Sequence, residues 1–261
     1  YEEHTHLQVM CNKVMRKFLN LHKSTSTCMI NGELGLREIS EYIENRMLNF
    51  WYNIATGVGS KISSILYNWI KILYDQNMFK SVWLDKIKTI LNNIGMTNLF
   101  NDITTVNKNW FKNTIKIRLN DIYNQKWSEH VFNNPICLNY RAMTVKKHLQ
   151  EYFVRLPKPY MYAMCKFKCA NHRMPIVNGR YANIPVDERL CMLCQSNEIG
   201  DEYHYLFVCN FFSEHRVKFL KRHYFRQPNM DKMTQLFNTV NHKELLNLAK
   251  FIKIIIIYFR N

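Results

Sequence analysis

Three cysteines and one histidine fall within a run of 19 residues, Cys191, Cys194, His204 and Cys209, spaced as C-x2-C-x9-H-x4-C. Thiolate sulfur and imidazole nitrogen are the donors zinc takes in tetrahedral sites, and two cysteines two residues apart can bind it from one tight turn. Protein fills all four positions, which leaves no place for a reacting water, so the spacing predicts a structural zinc site rather than a catalytic one. Gly200 is expected to let the chain reverse, Asp201 to cap a helix, and Glu202–Cys209 to form that short helix. The helix would present His204 and, a little over one turn later, Cys209 to the first pair. The competing reading is a set of reduced cysteines buried as small hydrophobes; the spacing favours the metal. Cys165, Cys169 and His172 offer half of a second set, but no fourth ligand stands near them, and they read as buried free thiols.

A chain of 261 residues is long enough for one large domain or two smaller ones. With 47% hydrophobic and 14% aromatic residues it is no disordered tail. Only 7 glycines and 6 prolines disfavour a turn-rich β-sandwich. The expected fold is mainly α: a multi-helix scaffold, then a small zinc-stapled knuckle and C-terminal helices. Eight cysteines are too sparse for a disulfide scaffold and point to a reducing, intracellular setting. No signal peptide opens the sequence, and its first residue is Tyr, as expected of a fragment or a processed piece. The longest apolar run, Ile252–Phe259, is interrupted by Lys253 and too short to span a bilayer, so no membrane partner is expected.

Apolar periodicity places the helices. Residues 4–21 carry Leu7, Met10, Cys11, Val14, Met15, Phe18 and Leu21 at helical spacing, with Lys13, Arg16 and Lys17 opposite. A short helix over 24–30 should end near Gly32. Longer ones follow over 36–55, 61–74 and 82–94, with breaks at Gly57, Gly59 and Gly95. The second of these is expected to turn Ile62, Ile65, Leu66, Trp69, Ile70 and Leu73 to a core. A long helix over 107–132 ends at Asn133-Asn134-Pro135, the expected boundary between a helical scaffold (1–134) and a basic segment (135–261). The last helices are expected over 211–225 and 241–258, the latter burying Leu245, Leu248, Ile252, Ile255 and Ile256.

The net charge of +16 favours a polyanionic partner. Residues 1–130 hold 16 Lys/Arg against 11 Asp/Glu; residues 131–261 hold 20 against 9, so the excess lies mainly in the second half. Tyr152, Phe153, Tyr160, Tyr162, Phe167 and Tyr181 are interleaved with the charges there. Basic side chains can meet phosphates while aromatics stack on unpaired bases. The candidate nucleic-acid contacts are Lys166, Lys168, Arg173, Arg180, Arg189, Arg216, Lys218, Lys221 and Arg222, weighed against a solvated basic face over an aromatic core.

One stretch is more distinctive. It reads His172-Arg173-Met174-Pro175-Ile176, Gly179-Arg180-Tyr181, Asn183-Ile184-Pro185, Arg189-Leu190-Cys191 and Gly200-Asp201-Glu202-Tyr203-His204-Tyr205. About forty residues of this kind resemble the C-terminal region of non-LTR (LINE-type) retrotransposon reverse-transcriptase polyproteins, where a helical segment and a CCHC zinc knuckle follow the polymerase. Glu33-Leu34-Gly35 ahead of a Trp-containing helix is similar to the family's post-polymerase region. The resemblance implies that Cys191, Cys194, His204 and Cys209 are the zinc ligands, with Arg173, Arg180 and Arg189 leading into the knuckle. It implies RNA or target DNA, and the upstream polymerase domain, as partners, in a ribonucleoprotein of cytoplasm and nucleus. Asn210 departs from the proline often found after the last cysteine. The gap before His204 is longer than in compact retroviral knuckles, so base contacts do not carry over.

A polymerase needs paired metal-binding aspartates, and the seven Asp here are dispersed, with no Asp-Asp dipeptide. No Gly-rich phosphate loop and no metalloprotease His-Glu pair is present either. The sequence therefore reads as a non-catalytic nucleic-acid-binding module without a small-molecule substrate. The alternatives are a zinc-stapled helical platform for protein partners and a decayed element copy without activity.

Overall fold

A computed structural model of the chain describes residues 2–58 and 60–259, with side chains from residue 6 onward. It is mainly helical, and no strand occurs among the described residues; Leu34 with Leu149 and Leu190 with Ile199 form isolated antiparallel β-bridges. In chain order the helices are α1 (Glu2–Phe18), α2 (Thr27–Leu34), α3 (Ile39–Ala55), α4 (Lys61–Asp75), α5 (Val82–Asn93) and α6 (Lys108–Asn133). There follow α7 (Tyr140–Met143), α8 (Tyr152–Arg155), α9 (Lys158–Lys168) and α10 (Pro175–Tyr181). The last are α11 (Ser213–Phe219), α12 (Arg222–Phe225), α13 (Met230–Phe237) and α14 (His242–Tyr258). No helix among the described residues is long and apolar enough to cross a membrane.

The chain forms two compact units. Arg37–Lys126 make the body of one, while His6–Leu36 join the residues from Trp127 onward in the other. This differs from the division expected at 134/135. Asn134-Pro135 ends a helix, but the change of core comes earlier. The Trp127 indole N–H donates to the Cys28 carbonyl at 2.8 Å, and the Tyr140 hydroxyl donates to the Met29 carbonyl at 3.0 Å. These bonds make α2 part of the C-terminal core. Gly32 lies inside α2, where a Cβ would run into Tyr140 and Trp127; the helix stops at Gly35 instead, whose φ of 64° is left-handed.

The first unit packs Leu48, Trp51 and Tyr52 of α3 against Leu84, Ile87 and Leu91 of α5 and Phe111, Ile115 and Leu119 of α6. The expected face of α4 does not face this core. Ile62, Ile65, Leu66 and Trp69 are exposed, and Tyr67 is the buried position, its hydroxyl accepting the Trp51 indole N–H at 2.9 Å. α4 carries a distinct apolar stripe at the expected positions, yet that stripe is exposed and the side turned to this core is the one that holds Tyr67, fixed by its hydrogen bond with Trp51. Gly57 is left-handed, φ 71°, while Gly59 lies outside the described residues.

In the second unit α9 packs along α14. Phe167, Leu248, Phe251, Ile252 and Ile255 are fully buried, and all five positions expected to face inward from α14 do so. Each such side chain contributes about 1.5–3 kcal/mol on leaving water. In α1 most of the expected face is exposed, at Leu7, Met10, Val14 and Phe18, while Met15 and, beyond the helix, Leu21 pack inward as expected. Arg16, placed on the outer face by its charge, turns in to donate to the Thr25 carbonyl and Thr27 Oγ1 at 2.9–3.1 Å. The helix expected over 211–225 is interrupted as well. Leu220 and Lys221 are extended, which lets Leu220 and Tyr224 drop into the core.

Candidate metal centre and basic cleft

Residues 189–191 and 198–200 pair antiparallel: Cys191 N–H donates to the Glu198 carbonyl and Gly200 N–H to the Arg189 carbonyl, both at 2.8 Å. The tight turn between them holds Cys191 and Cys194, and Leu193 N–H points at the Cys191 sulfur at 3.4 Å. Gly200 does not make a left-handed turn. It is small because a Cβ there would sit 2.6 Å from the Tyr205 hydroxyl and 2.8 Å from Pro175 Cγ. Asp201 is the cap its position suggests, its carboxylate accepting His204 N–H at 2.8 Å.

The segment His204–Val208 is a π-helix, closed by Cys209 N–H to the His204 carbonyl at 2.8 Å. The wider turn matters chemically. Five residues of α-helix would separate His204 and Cys209 by about 140° around the axis, whereas an i→i+5 turn brings the chain at Cys209 back to the side of His204. π-Turns of this sort concentrate at functional sites.

The ligand atoms of Cys191, Cys194, His204 and Cys209 all lie within 4.8 Å of one another, a group that could hold a metal ion. Cys191 and Cys209 sulfurs are 3.8 Å apart, and Cys194 sulfur is 3.3 Å from His204 Nε2. Sulfurs at about 2.3 Å from a tetrahedral centre stand about 3.8 Å from each other. His204 Nδ1 is bound by Glu198 Oε2 at 2.8 Å, which fixes the ring with Nε2 turned into the cluster. This carboxylate–histidine arrangement is the usual support of a metal-bound imidazole. Burial opposes the Cys194 thiolate, yet hydrogen bonds from Ser196 and contacts with Cys191 and His204 outweigh it and bring its pKa down to about 6. Cys209 goes the other way, pushed up to about 12 by burial and by the neighbouring Cys191 sulfur. Three sulfurs this close, those of Cys191 and Cys209 buried and that of Cys194 half-buried, can all be thiolates only with a cation among them.

Arg216 supports the ligand loop. It is buried, with Nε donating to the Leu206 carbonyl and Nη2 to the Cys209 carbonyl, both at 2.9 Å. The Cys209 carbonyl also accepts Phe212 N–H at 3.2 Å; with its guanidinium committed to these two carbonyls, Arg216 is withdrawn from the set of candidate nucleic-acid contacts. Lys168 is withdrawn too: 2% exposed, it bridges Glu33 at 3.0 Å and Gln150 at 3.1 Å. Arg189 spends its guanidinium on the Ile184 and Ile176 carbonyls at 2.7–3.1 Å, and its stem covers Gly179. Cys165 and Cys169 are buried and His172 Nε2 is held by Glu202 at 2.8 Å, so among the described residues they assemble no second metal group.

Three candidate cations do come together. Lys166, Arg173 and Arg180 line a cleft of about 500 Å³ formed by the 22–26 loop, the end of α9, α10 and the end of α14. Among the described residues no carboxylate lines it. Tyr181 closes one end, its hydroxyl 2.5 Å from Ser24 Oγ and its ring 5.3 Å from the Arg180 guanidinium. Lys218 and Lys221 lie elsewhere, on a smaller hollow where Lys221 is paired with Glu244; Arg222 is exposed. Glu198 and the supporting role of Arg216 carry no sequence signal of their own, because each depends on which backbone lies opposite. No protein-family model, curated protein or solved structure matches this chain.

Proposed function

We propose that this chain is a non-catalytic nucleic-acid-binding module whose Cys191, Cys194, His204 and Cys209 hold one structural zinc. Three thiolates and an imidazole in a closed set suit zinc better than harder divalent ions. Bound there, the metal supplies folding energy to the 189–209 segment. Arg216, Glu198 and Asp201 then orient the ligands. The observation that carries the reading is the acid-free cleft with Lys166, Arg173 and Arg180, in the half of the chain that holds the charge excess. The resemblance of residues 171–209 to retrotransposon polyproteins points the same way. It makes RNA or target DNA the ligand, and a polymerase domain of the same polyprotein the neighbour, within a ribonucleoprotein of cytoplasm and nucleus.

A second reading, a docking platform for another protein, is favoured by the exposed Ile62, Ile65, Leu66 and Trp69 of α4. The discriminating experiment is RNA binding by the full chain over a salt series, zinc-loaded wild type against Cys191→Ala, with metal content measured on both. Each phosphate contact adds about −0.7 to the log–log slope for a single strand. A steep slope in the wild type supports nucleic-acid binding. No binding in either form moves the reading to the platform.

A further inference from the structure

Resting on that reading, we infer that the cleft lined by Arg173, Arg180, Asn171 and Tyr181 seats one unpaired nucleotide of a single strand. Its volume, about 500 Å³, falls in the range of roughly 300–1,000 Å³ that takes a small organic ligand. Its chemistry is divided in two. On the outer side, Arg173 is exposed and Arg180 half-buried, and no salt bridge is formed by either with a described residue. A guanidinium presents a planar fork of donors that matches phosphate oxygens.

The inner side is largely apolar: buried Cys169, Val177, Ile256 and Phe259 line it, with Thr25 and His172 beside them. A largely apolar inner wall beneath a charged rim suits a nucleobase joined to its phosphate, and suits a bare inorganic anion poorly. Asn171 also lines the cleft. Its Nδ2 is buried and has no hydrogen-bond partner among the described residues. A buried amide donor left without an acceptor is costly, and a carbonyl on a base edge would satisfy it. Tyr181, 59% exposed at the mouth and steadied by Ser24, offers a ring on which the next base can stack. A duplex cannot use such a site, because its bases are paired and stacked away from a hollow of this size.

The test measures anisotropy of an end-labelled oligouridylate on the zinc-loaded full chain. Removing Arg173 and Arg180 together (R173A/R180A) should weaken binding about hundredfold, tenfold for each charge-assisted hydrogen bond, and flatten the salt slope by about 0.7 for each phosphate no longer held. The control K112A/K116A, on α6 of the other unit, removes the same charge and should change affinity far less. An abasic version of the same strand should bind about tenfold more weakly to wild type, and hardly differently to N171A. Equal losses in the cleft and control pairs would overturn the seat while leaving nucleic-acid binding in place. So would unimpaired binding of the abasic strand. Displacement of the strand by uridine monophosphate as effectively as by unlabelled oligouridylate would replace the strand with a free nucleotide and overturn the inference. No binding of any strand by wild type would fail the functional reading itself.

Discussion

Lys168→Met separates a cation meant for phosphate from one meant for the core. Lys168 stands 3.0 Å from Glu33, 3.1 Å from Gln150 Oε1 and 5.3 Å from the centre of the Tyr152 ring. Glu33 is 0% exposed and also accepts the Thr144 and Tyr152 hydroxyls at 2.7 and 2.6 Å. Methionine keeps the length and apolar stem of lysine but strands the carboxylate. Breaking a buried pair from one side costs about 3–5 kcal/mol; the two hydroxyls still solvating Glu33 place this case toward the lower end, about 3 kcal/mol. The partner change Glu33→Gln strands the ammonium at a similar cost, and the double variant should recover about 1–3 kcal/mol of the summed loss. Urea unfolding followed by circular dichroism gives the free energies, and amide exchange across 152–169 locates the loss. At temperatures where Lys168→Met remains folded, its RNA affinity should equal that of wild type. A stable Lys168→Met with weakened RNA binding would refute the burial argument and return Lys168 to the binding surface.

Glu198→Gln should lower zinc affinity about tenfold, the low end of outer-shell effects because the Glu198 side chain is 51% exposed; competition with a chromogenic chelator reads it, and an unchanged affinity would show that the His204–Glu198 bond does not orient the ligand. Gly200→Ala should destabilise the second unit by about 1–3 kcal/mol through overpacking against Tyr205 and Pro175. Adding Tyr205→Phe, which removes the hydroxyl, should relieve part of that loss in the same unfolding assay. Arg216→Met should cost about 1–3 kcal/mol by taking the guanidinium donor from the Leu206 carbonyl and leaving the Cys209 carbonyl with Phe212 N–H alone, and should loosen zinc without changing the RNA salt slope; a smaller slope would put Arg216 at the interface.

The four residues that gather into a group able to hold a metal ion could be read from the sequence because ligand spacing is a local property. The helical class and the inner face of α14 were equally legible, since five apolar positions there fall on one stripe with polar residues opposite. In α4 the apolar stripe was legible but is exposed, and Tyr67 was missed because its burial depends on the Trp51 indole of α3. Charge was the other source of error. Arg16, Lys168, Arg189 and Arg216 all counted toward a basic surface, yet each is spent on carbonyls or on a carboxylate brought from elsewhere in the fold. The partner of Lys168 lies 135 positions earlier in the chain, a distance at which no local pattern can pair them. The domain boundary failed for the same reason: Pro135 punctuates the backbone, whereas membership of a core depends on contacts such as Trp127 to Cys28.

The π-turn at 204–208 bears on how ligand spacing tolerates insertion and deletion. An α-helical His-x3-Cys pair and a π-helical His-x4-Cys pair present their side chains to the same side, so removing one residue from Leu206–Val208 can be absorbed by returning the turn to α geometry. The two spacings are then alternative solutions of one site, related by a single codon and a change of hydrogen-bond register. Distance along the chain between these ligands is therefore a softer criterion than their common orientation, and motifs of this type are best compared by the geometry of the turn.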